Sequence, residues 1–182
     1  MKTIETSRLV LKSMDSSDCD NLFTILNDTD TTWWADLPRY ESKEDVQSFI
    51  DWGNYLFAGL QYGIYEKGAD KVIGLIQVNE FYSTDKFHER ELGYVLSKDY
   101  RGRGYMSEAV KAVCDDIFED ESISAVTLEV LPDNGPSQGV ARKCGFILEP
   151  QPDCEKELRY LDGQSLDRLV LNREHFVVQK AA

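Results

Sequence analysis

Residues 89–119 read ERELGYVLSKDYRGRGYMSEAVKAVCDDIFE. The first part, Glu89 to Ser97, alternates as a strand does. Period 2 sets Glu91, Gly93 and Val95 on one face and Leu92, Tyr94 and Leu96 on the other. The last part, from about Arg103 to Glu119, has a helical period. Met106, Ala109, Val110, Val113 and Ile117 recur at spacings of three and four and predict a core stripe. Between strand and helix stands Tyr100-Arg101-Gly102-Arg103-Gly104-Tyr105-Met106. Its glycines let the backbone turn tightly and approach a ligand. The N–H groups and positive dipole end of the following helix suit an anion, and a diphosphate is the natural guest. Taken alone, R-G-R-G between strand and helix reads first as an ordinary turn. The segment lacks the Lys-Ser/Thr of a P-loop, and it lacks G-x-G-x-x-G, because Ser107 follows Met106. Nucleotide hydrolysis and a dinucleotide fold are therefore poorly supported.

Outward from this segment, the reading is of interspersed strands and helices. Ser7 to Met14 predicts a first strand. Asp15-Ser16-Ser17-Asp18 offers N-cap chemistry to a helix carrying Leu22, Phe23, Ile25 and Leu26. Asp28 to Tyr40 reads as a loop that holds Trp33 and Trp34. Ser42 opens a second helix with Glu44 and Asp45 in its first turn, where carboxylates suit the dipole. Val46, Phe49, Ile50 and Trp52 are expected to face inward. Tyr62 to Glu66 and Val72 to Phe81 form a hairpin through Lys67-Gly68-Ala69-Asp70. After the central helix, Glu119, Asp120 and Glu121 crowd an end that the dipole disfavours for anions. Ser124 to Leu131 is a strand. Asn134 to Cys144 is a short helix stopped by Gly145. Two closing strands, Glu155–Leu161 and Asp167–Asn172, flank Asp162-Gly163. Hairpins among the strands predict an α/β chain of the α+β kind, a mixed sheet with helices packed on it.

The chain of 182 residues suits one domain, residues 1–182. Hydrophobic residues at 42% and charged residues at 29% exclude wholesale disorder. The net charge of −13 disfavours a broad phosphate-binding surface, so no nucleic-acid partner is expected. The four cysteines, Cys19, Cys114, Cys144 and Cys154, form no C-x-x-C pair, and His88 and His175 are the only imidazoles. No metal site is expected. The first residues have no apolar leader core, and no run of about 18 apolar residues is present. The expected setting is the cytoplasm, with reduced thiols and no membrane partner.

Three motifs carry a resemblance. Glu91 to Leu96 followed by Tyr100 to Ala109 resembles the acetyl-CoA motif of the GNAT acetyltransferases, and most closely that of their RimJ/RimL-like branch. Asn134-Gly135-Pro136-Ser137-Gln138-Gly139-Val140-Ala141-Arg142-Lys143-Cys144-Gly145-Phe146 resembles the family's N-x-x-S-x-x-(apolar)-x-x-x-x-G-F segment. Leu158 to Gly163, then Asp167, resembles the branch's closing hairpin. Met106 departs from the general family pattern, which has Gly or Ala there. The resemblance implies a GNAT-like fold: a central, mostly antiparallel, twisted sheet splayed around the acetyl-CoA arm, with helices on both faces. It implies that Arg101, Gly102, Arg103, Gly104, Tyr105 and Met106 bind the pyrophosphate. Gly93, Tyr94, Val95 and Leu96 would bind the pantetheine arm, and Asn134 and Ser137 would lie near the sulfur.

The implied reaction is direct attack of a neutral amine on the thioester, with acetyl-CoA as cosubstrate and no metal. Proximity and carbonyl polarisation do much of the work. At pH 7 an α-amine of pKa ~7.7 costs about 1 kcal/mol to neutralise, and a lysine amine of pKa ~10.4 about 4.6 kcal/mol. Glu91 is the candidate base and Ser137 the candidate partner of the leaving thiolate. The bland alternatives are a solvated carboxylate and a first-turn hydroxyl. His88, Glu155 and Glu157 are rival bases. Tyr94 and Tyr105 read mostly as packing, and Cys144 as a small buried apolar residue. Trp33 and Trp34 either border the acceptor or plug the gap between the first two helices. The expected acceptor is an amine-bearing partner: a protein N-terminus of the ribosomal-protein type, or a small amine or antibiotic. A non-catalytic CoA-binding module is the alternative of another class. Either a monomer or a homodimer is compatible with these readings.

Overall fold

A computed structural model describes residues 2–31, 39–56, 60–80, 88–150, 160–161 and 164–181. Two compact units divide the chain. The first is Met1–Asn79 with Gly93–Val113, the second Glu80–Leu92 with Cys114–Ala182.

In the first unit, β1 (Ile4–Glu5), β2 (Leu9–Lys12), β3 (Gln61–Glu66) and β4 (Val72–Glu80) lie in that order, and β5 (Glu89–Leu96) follows β4. The pairs β1–β2, β2–β3 and β3–β4 are antiparallel. The β3–β4 turn needs Gly68, whose φ is +81°. Backbones of β4 and β5 approach so closely that a Cβ on Gly74 would sit 2.5 Å from the Val95 carbonyl oxygen.

The caps follow the sequence. Asp15 accepts from the Ser17 N–H at 2.8 Å and donates its own N–H to Asp18 at 3.0 Å, ahead of α1 (Cys19–Leu26). Ser42 and Asp45 exchange the same reciprocal bonds at the start of α2 (Lys43–Leu56). Leu22, Ile25 and Leu26 of α1 pack with Val46 and Ile50 of α2, and Phe49 is partly buried against them. Trp52 corrects the expectation of an inward face. It is 60% exposed and stacks edge-on with Tyr55. The buried stripe runs Val46, Ile50, Gly53. Two residues past Ile50 is about 200° around the helix, which turns Trp52 outward. Residues 29–31, expected as loop, are helical. Trp33 and Trp34 lie outside the described residues.

In the second unit the order is β5, β6 (Ala125–Val130), β10 (Asp167–Asn172), β7 (Ile147–Leu148). β10 runs antiparallel to both its neighbours, while β5 and β6 are parallel. The fold is thus a mixed α/β one whose described strand pairs are mostly antiparallel. β8 (Tyr160–Leu161) and β9 (Gln164–Ser165) form a separate pair. Of the expected closing hairpin, β10 stands as predicted, while Glu155, Glu157 and the Asp162-Gly163 turn lie outside the described residues.

The central helix α3 is Tyr105–Ile117. Met106, Ala109, Val110 and Val113 are buried as predicted. Ile117 is only half-buried, and Cys114 and Phe118 close the stripe instead. The acidic end of α3, unexplained from sequence, has a cation. Arg173 donates to the Phe118 carbonyl at 3.0 Å, to the Ile123 carbonyl at 2.8 Å and to the Asp120 carbonyl. On the Phe118 carbonyl, just past the helix, the guanidinium puts at the negative dipole end the sign of charge that the carboxylates lack. Arg173 opens α5 (Arg173–Ala181), a helix the sequence reading missed because it follows β10 with no intervening turn signal. Its Phe176 ring meets Phe118 at 4.6 Å.

Candidate functional site

The glycine loop belongs to the first unit. After Leu96 the chain makes one tight turn, Lys98–Tyr100, and then extends at Arg101. Gly102 and Gly104 have φ of +76° and +80°. A Cβ on Gly102 would meet nothing within 4 Å, and one on Gly104 only the Arg8 guanidinium at 3.6 Å. Glycine is therefore required by backbone conformation and not by crowding. The outer side of the loop is open to a close-approaching group. α3 starts at once, with the Glu108 N–H donating to the Gly104 carbonyl at 3.0 Å.

Expected as added positive charge, the two arginines of the loop are also its fasteners. Arg101 donates from Nε to the Leu96 carbonyl at 3.0 Å and from Nη2 to the Thr31 hydroxyl at 2.9 Å. Arg103 donates to the Asp99 carbonyl at 2.8 Å and covers the Tyr100 ring. Met106 is 5% exposed, so its side chain is core and only its backbone can serve a ligand. Tyr105 packs under Arg8 and donates its hydroxyl to Glu66.

The residue that holds the loop from behind was missed. Glu108, in the first turn of α3, accepts from the Thr6 hydroxyl at 2.6 Å, the Ser7 hydroxyl at 2.9 Å, the Arg8 N–H at 2.9 Å and the Arg8 Nε at 2.7 Å. Arg8 also donates to the Arg103 carbonyl at 3.0 Å. Burial alone pushes the Glu108 carboxyl up. The bonds from Thr6, Arg8 and Ser7 outweigh it and hold the pKa at about 2. A carboxylate one turn into a helix was the only sequence signal, and it does not name its partners.

In the second unit, the parallel ladder pairs Glu89 with Ala125, Arg90 with Val126 and Glu91 with Thr127. The ladder stops at Glu91–Thr127, although β5 runs on to Leu96 and β6 to Val130. Glu91 is half-buried at that last pair. Past Val130, the Asn134 side chain accepts from the Ser137 N–H at 3.1 Å and so caps α4 (Gly135–Cys144). Pro136 falls in the first turn, where its missing N–H costs nothing. Gly145, at φ +86°, ends the helix as predicted. Asn134 thus builds the start of α4 that presents Ser137. Cys144 is buried and fits the apolar reading. Its neighbour Cys114 has its thiol pushed up in pKa, by burial first and then by Cys144. His88 is exposed, and its Nδ1 lies 2.9 Å from the Ser122 carbonyl, which only a protonated Nδ1 can satisfy. Gly93 to Leu96 and Arg101 to Met106 therefore stand in one unit, and Glu91, Asn134 and Ser137 in the other.

The model of the acetyltransferase (GNAT) domain matches residues 8–147. The chain belongs to the GNAT acetyltransferase family. It is an acetyl-transferring enzyme, an N-acetyltransferase. It is 30% identical over 153 residues to the uncharacterized N-acetyltransferase p20 of Bacillus licheniformis, covering 82% of this chain and 84% of that one. It is 28% identical over 126 residues to the ribosomal-protein-serine acetyltransferase of Escherichia coli, covering 67% and 66%. Among solved structures, a ribosomal L7/L12 α-N-protein acetyltransferase in complex with coenzyme A superposes with a TM-score of 0.77. That match has 23% identity and covers 94% of this chain and 98% of the other. No helix among the described residues is long and apolar enough to cross a membrane.

Proposed function

We propose that this chain, acting as one catalytic domain over residues 1–182, moves the acetyl group of acetyl-CoA to the α-amine of a protein N-terminus. In this reading its branch is RimJ/RimL-like and its setting the cytoplasm. The observation that carries the cosubstrate is the loop Arg101 to Met106. Two glycines at positive φ with open outer faces precede a thirteen-residue helix, a backbone shaped for a diphosphate. In this reading Gly93 to Leu96 hold the pantetheine arm through strand-edge hydrogen bonds, and a backbone N–H there polarises the thioester carbonyl.

The amine nitrogen attacks that carbonyl carbon and the C–S bond breaks. Glu91 takes the proton the amine gives up, directly or through water. The Ser137 hydroxyl, presented by the first turn of α4, hydrogen-bonds the departing thiolate. No covalent enzyme intermediate is formed, so positioning supplies much of the rate. The α-amine is favoured over a lysine for a physical reason. It is roughly 3.6 kcal/mol easier to neutralise at pH 7, which one half-buried carboxylate can accommodate. The similarity to a protein named as a ribosomal-protein-serine acetyltransferase supports the same acceptor class.

Calorimetric titration with acetyl-CoA, repeated on Gly104→Glu, tests the cosubstrate. Micromolar binding that the variant loses supports the loop. A folded wild type that binds nothing removes the reading. Turnover on a peptide with a free N-terminal serine, against an N-acetylated peptide containing lysine and an aminoglycoside, then tests the acceptor. Preference for either of the last two overturns the α-amine assignment.

A further inference from the structure

Outside the residues assigned above, the described residues of the second unit include a charged cluster built on a buried arginine. Arg168, in the interior of β10, is 5% exposed. Its Nη2 donates to Glu89 at 2.5 Å and its Nη1 to Glu149 at 2.7 Å. Its backbone carbonyl accepts from the Glu149 N–H at 2.9 Å. One side chain thus ties β5, β10 and the segment after β7 together.

The register tells which face carries the cluster. Laterally paired residues share a face, and each strand alternates. Glu91 pairs with Thr127, Thr127 with Val170, and Glu129 with Arg168. Glu89, Glu91, Glu129 and Arg168 therefore occupy one face of the β5-β6-β10 sheet, with Glu149 joined to it through Arg168. The opposite face takes Arg90, which pairs with Glu80 at 3.0 Å, and Asp167, which accepts from Gln138 of α4 at 3.1 Å. His88 precedes the strand and is turned to Ser122. Among the described residues of this sheet, Glu89, Glu91, Glu129 and Glu149 share that face with the Arg168 guanidinium.

We propose that Arg168 is the positioning residue for Glu91. It holds the first residues of β5 through Glu89, whose side chain stands about 7 Å from that of Glu91 along the strand. It also places a guanidinium on the sheet face that Glu91 shares with Glu89, Glu129 and Glu149, where a positive charge favours the ionised form of a carboxyl. This inference rests on the reading of Glu91 as the base for its catalytic meaning, but the coupling between Arg168 and Glu91 stands without it. Taking away a cation from a face of carboxylates favours the protonated form of each carboxyl.

The test follows the Glu91 carboxyl itself, by NMR titration of the protein with carboxyl-labelled glutamate, the signal assigned with Glu91→Gln. In Arg168→Met the Glu91 midpoint is expected to rise by about one pH unit, the scale of one nearby charge in a partly wet site. Arg168→Lys should keep most of the wild-type value, and Glu89→Gln with Arg168 intact should lower it. The acid limb of the pH–rate profile, measured with acetyl-CoA and the serine peptide, should move with the midpoint. A Glu91 midpoint that stays within about 0.2 units in a folded Arg168→Met overturns the proposal. If Arg168→Met does not fold, Arg168→Gln, which keeps an amide donor but not the charge, takes its place under the same criterion. Full turnover in Glu91→Gln with the midpoint shifts intact would remove the base assignment and leave the coupling standing.

Discussion

The glycine loop and the carboxylate face solve different problems with different atoms. In the loop the groups proposed to meet the cosubstrate are backbone. Its side chains are engaged by the protein: Met106 is core, the exposed Arg101 bonds the Leu96 carbonyl and Thr31, the exposed Arg103 bonds the Asp99 carbonyl, and behind them Glu108 is consumed by Thr6, Ser7 and Arg8. On the sheet face the groups proposed to act are side chains, and the backbone sets their register. A loop of the first kind is sensitive to φ and tolerant of side-chain identity. A face of the second kind is sensitive to each charge. That contrast makes distinct claims about what mutation does at each place.

The largest effect should come from Gly104→Glu. It puts a carboxylate where the anion is to sit and forces an L side chain into positive φ. Acetyl-CoA affinity should fall at least a hundredfold in calorimetry, with the fold retained by circular dichroism. Retained binding would show that the loop does not hold the diphosphate. Next comes Glu91→Gln, expected to lower kcat on a serine-initiated peptide by about ten- to a hundredfold, at the low end of general-base effects because an α-amine needs little help. Acetyl-CoA affinity should not change, and a fall in affinity instead of kcat would erase the contrast between the two regions.

Glu108 sharpens the comparison from the loop side. Glu108→Gln should cost about 2 kcal/mol of stability, the scale of hydrogen bonds to a charged group. Its pKa lies at about 2 in the fold against an ordinary 4.5, so its stabilisation is complete above about pH 4.5. It is lost as pH falls through about 2. Denaturant midpoints of the wild type should drop across that window more steeply than those of Glu108→Gln. The smallest effect is expected at Trp52. Trp52→Ser, on an exposed ring, should change stability by no more than about 0.5 kcal/mol.

Much of the fold was legible because its signals are local. The caps at Asp15 and Ser42, the stripe through Met106 and Val113, and the stops at Gly68 and Gly145 each depend on a few neighbouring residues. The misses are of two kinds. β1 is two residues long, and α5 directly follows a strand, so neither offers enough pattern. Trp52 was placed inward for its hydrophobicity although its angular position opposes that.

The site divides along the same line. The loop could be read because positive-φ glycines and a helix start are properties of adjacent residues. So could Ser137 as a first-turn hydroxyl of a short helix, while Asn134 as its cap emerged with the structure. What only the tertiary structure decided is which distant groups meet. Thr6, Ser7 and Arg8 close on Glu108 about a hundred residues away. Arg173 covers the acidic end of α3, and Arg168 enters the face of Glu89 and Glu91. The β5–β6 ladder ends at Glu91 while both strands continue. These pairings depend on strand order and register, where a shift of one residue moves every side chain to the other face. Local chemistry is therefore written in the sequence, and the neutralisation of buried charge is settled only when the strands are laid side by side.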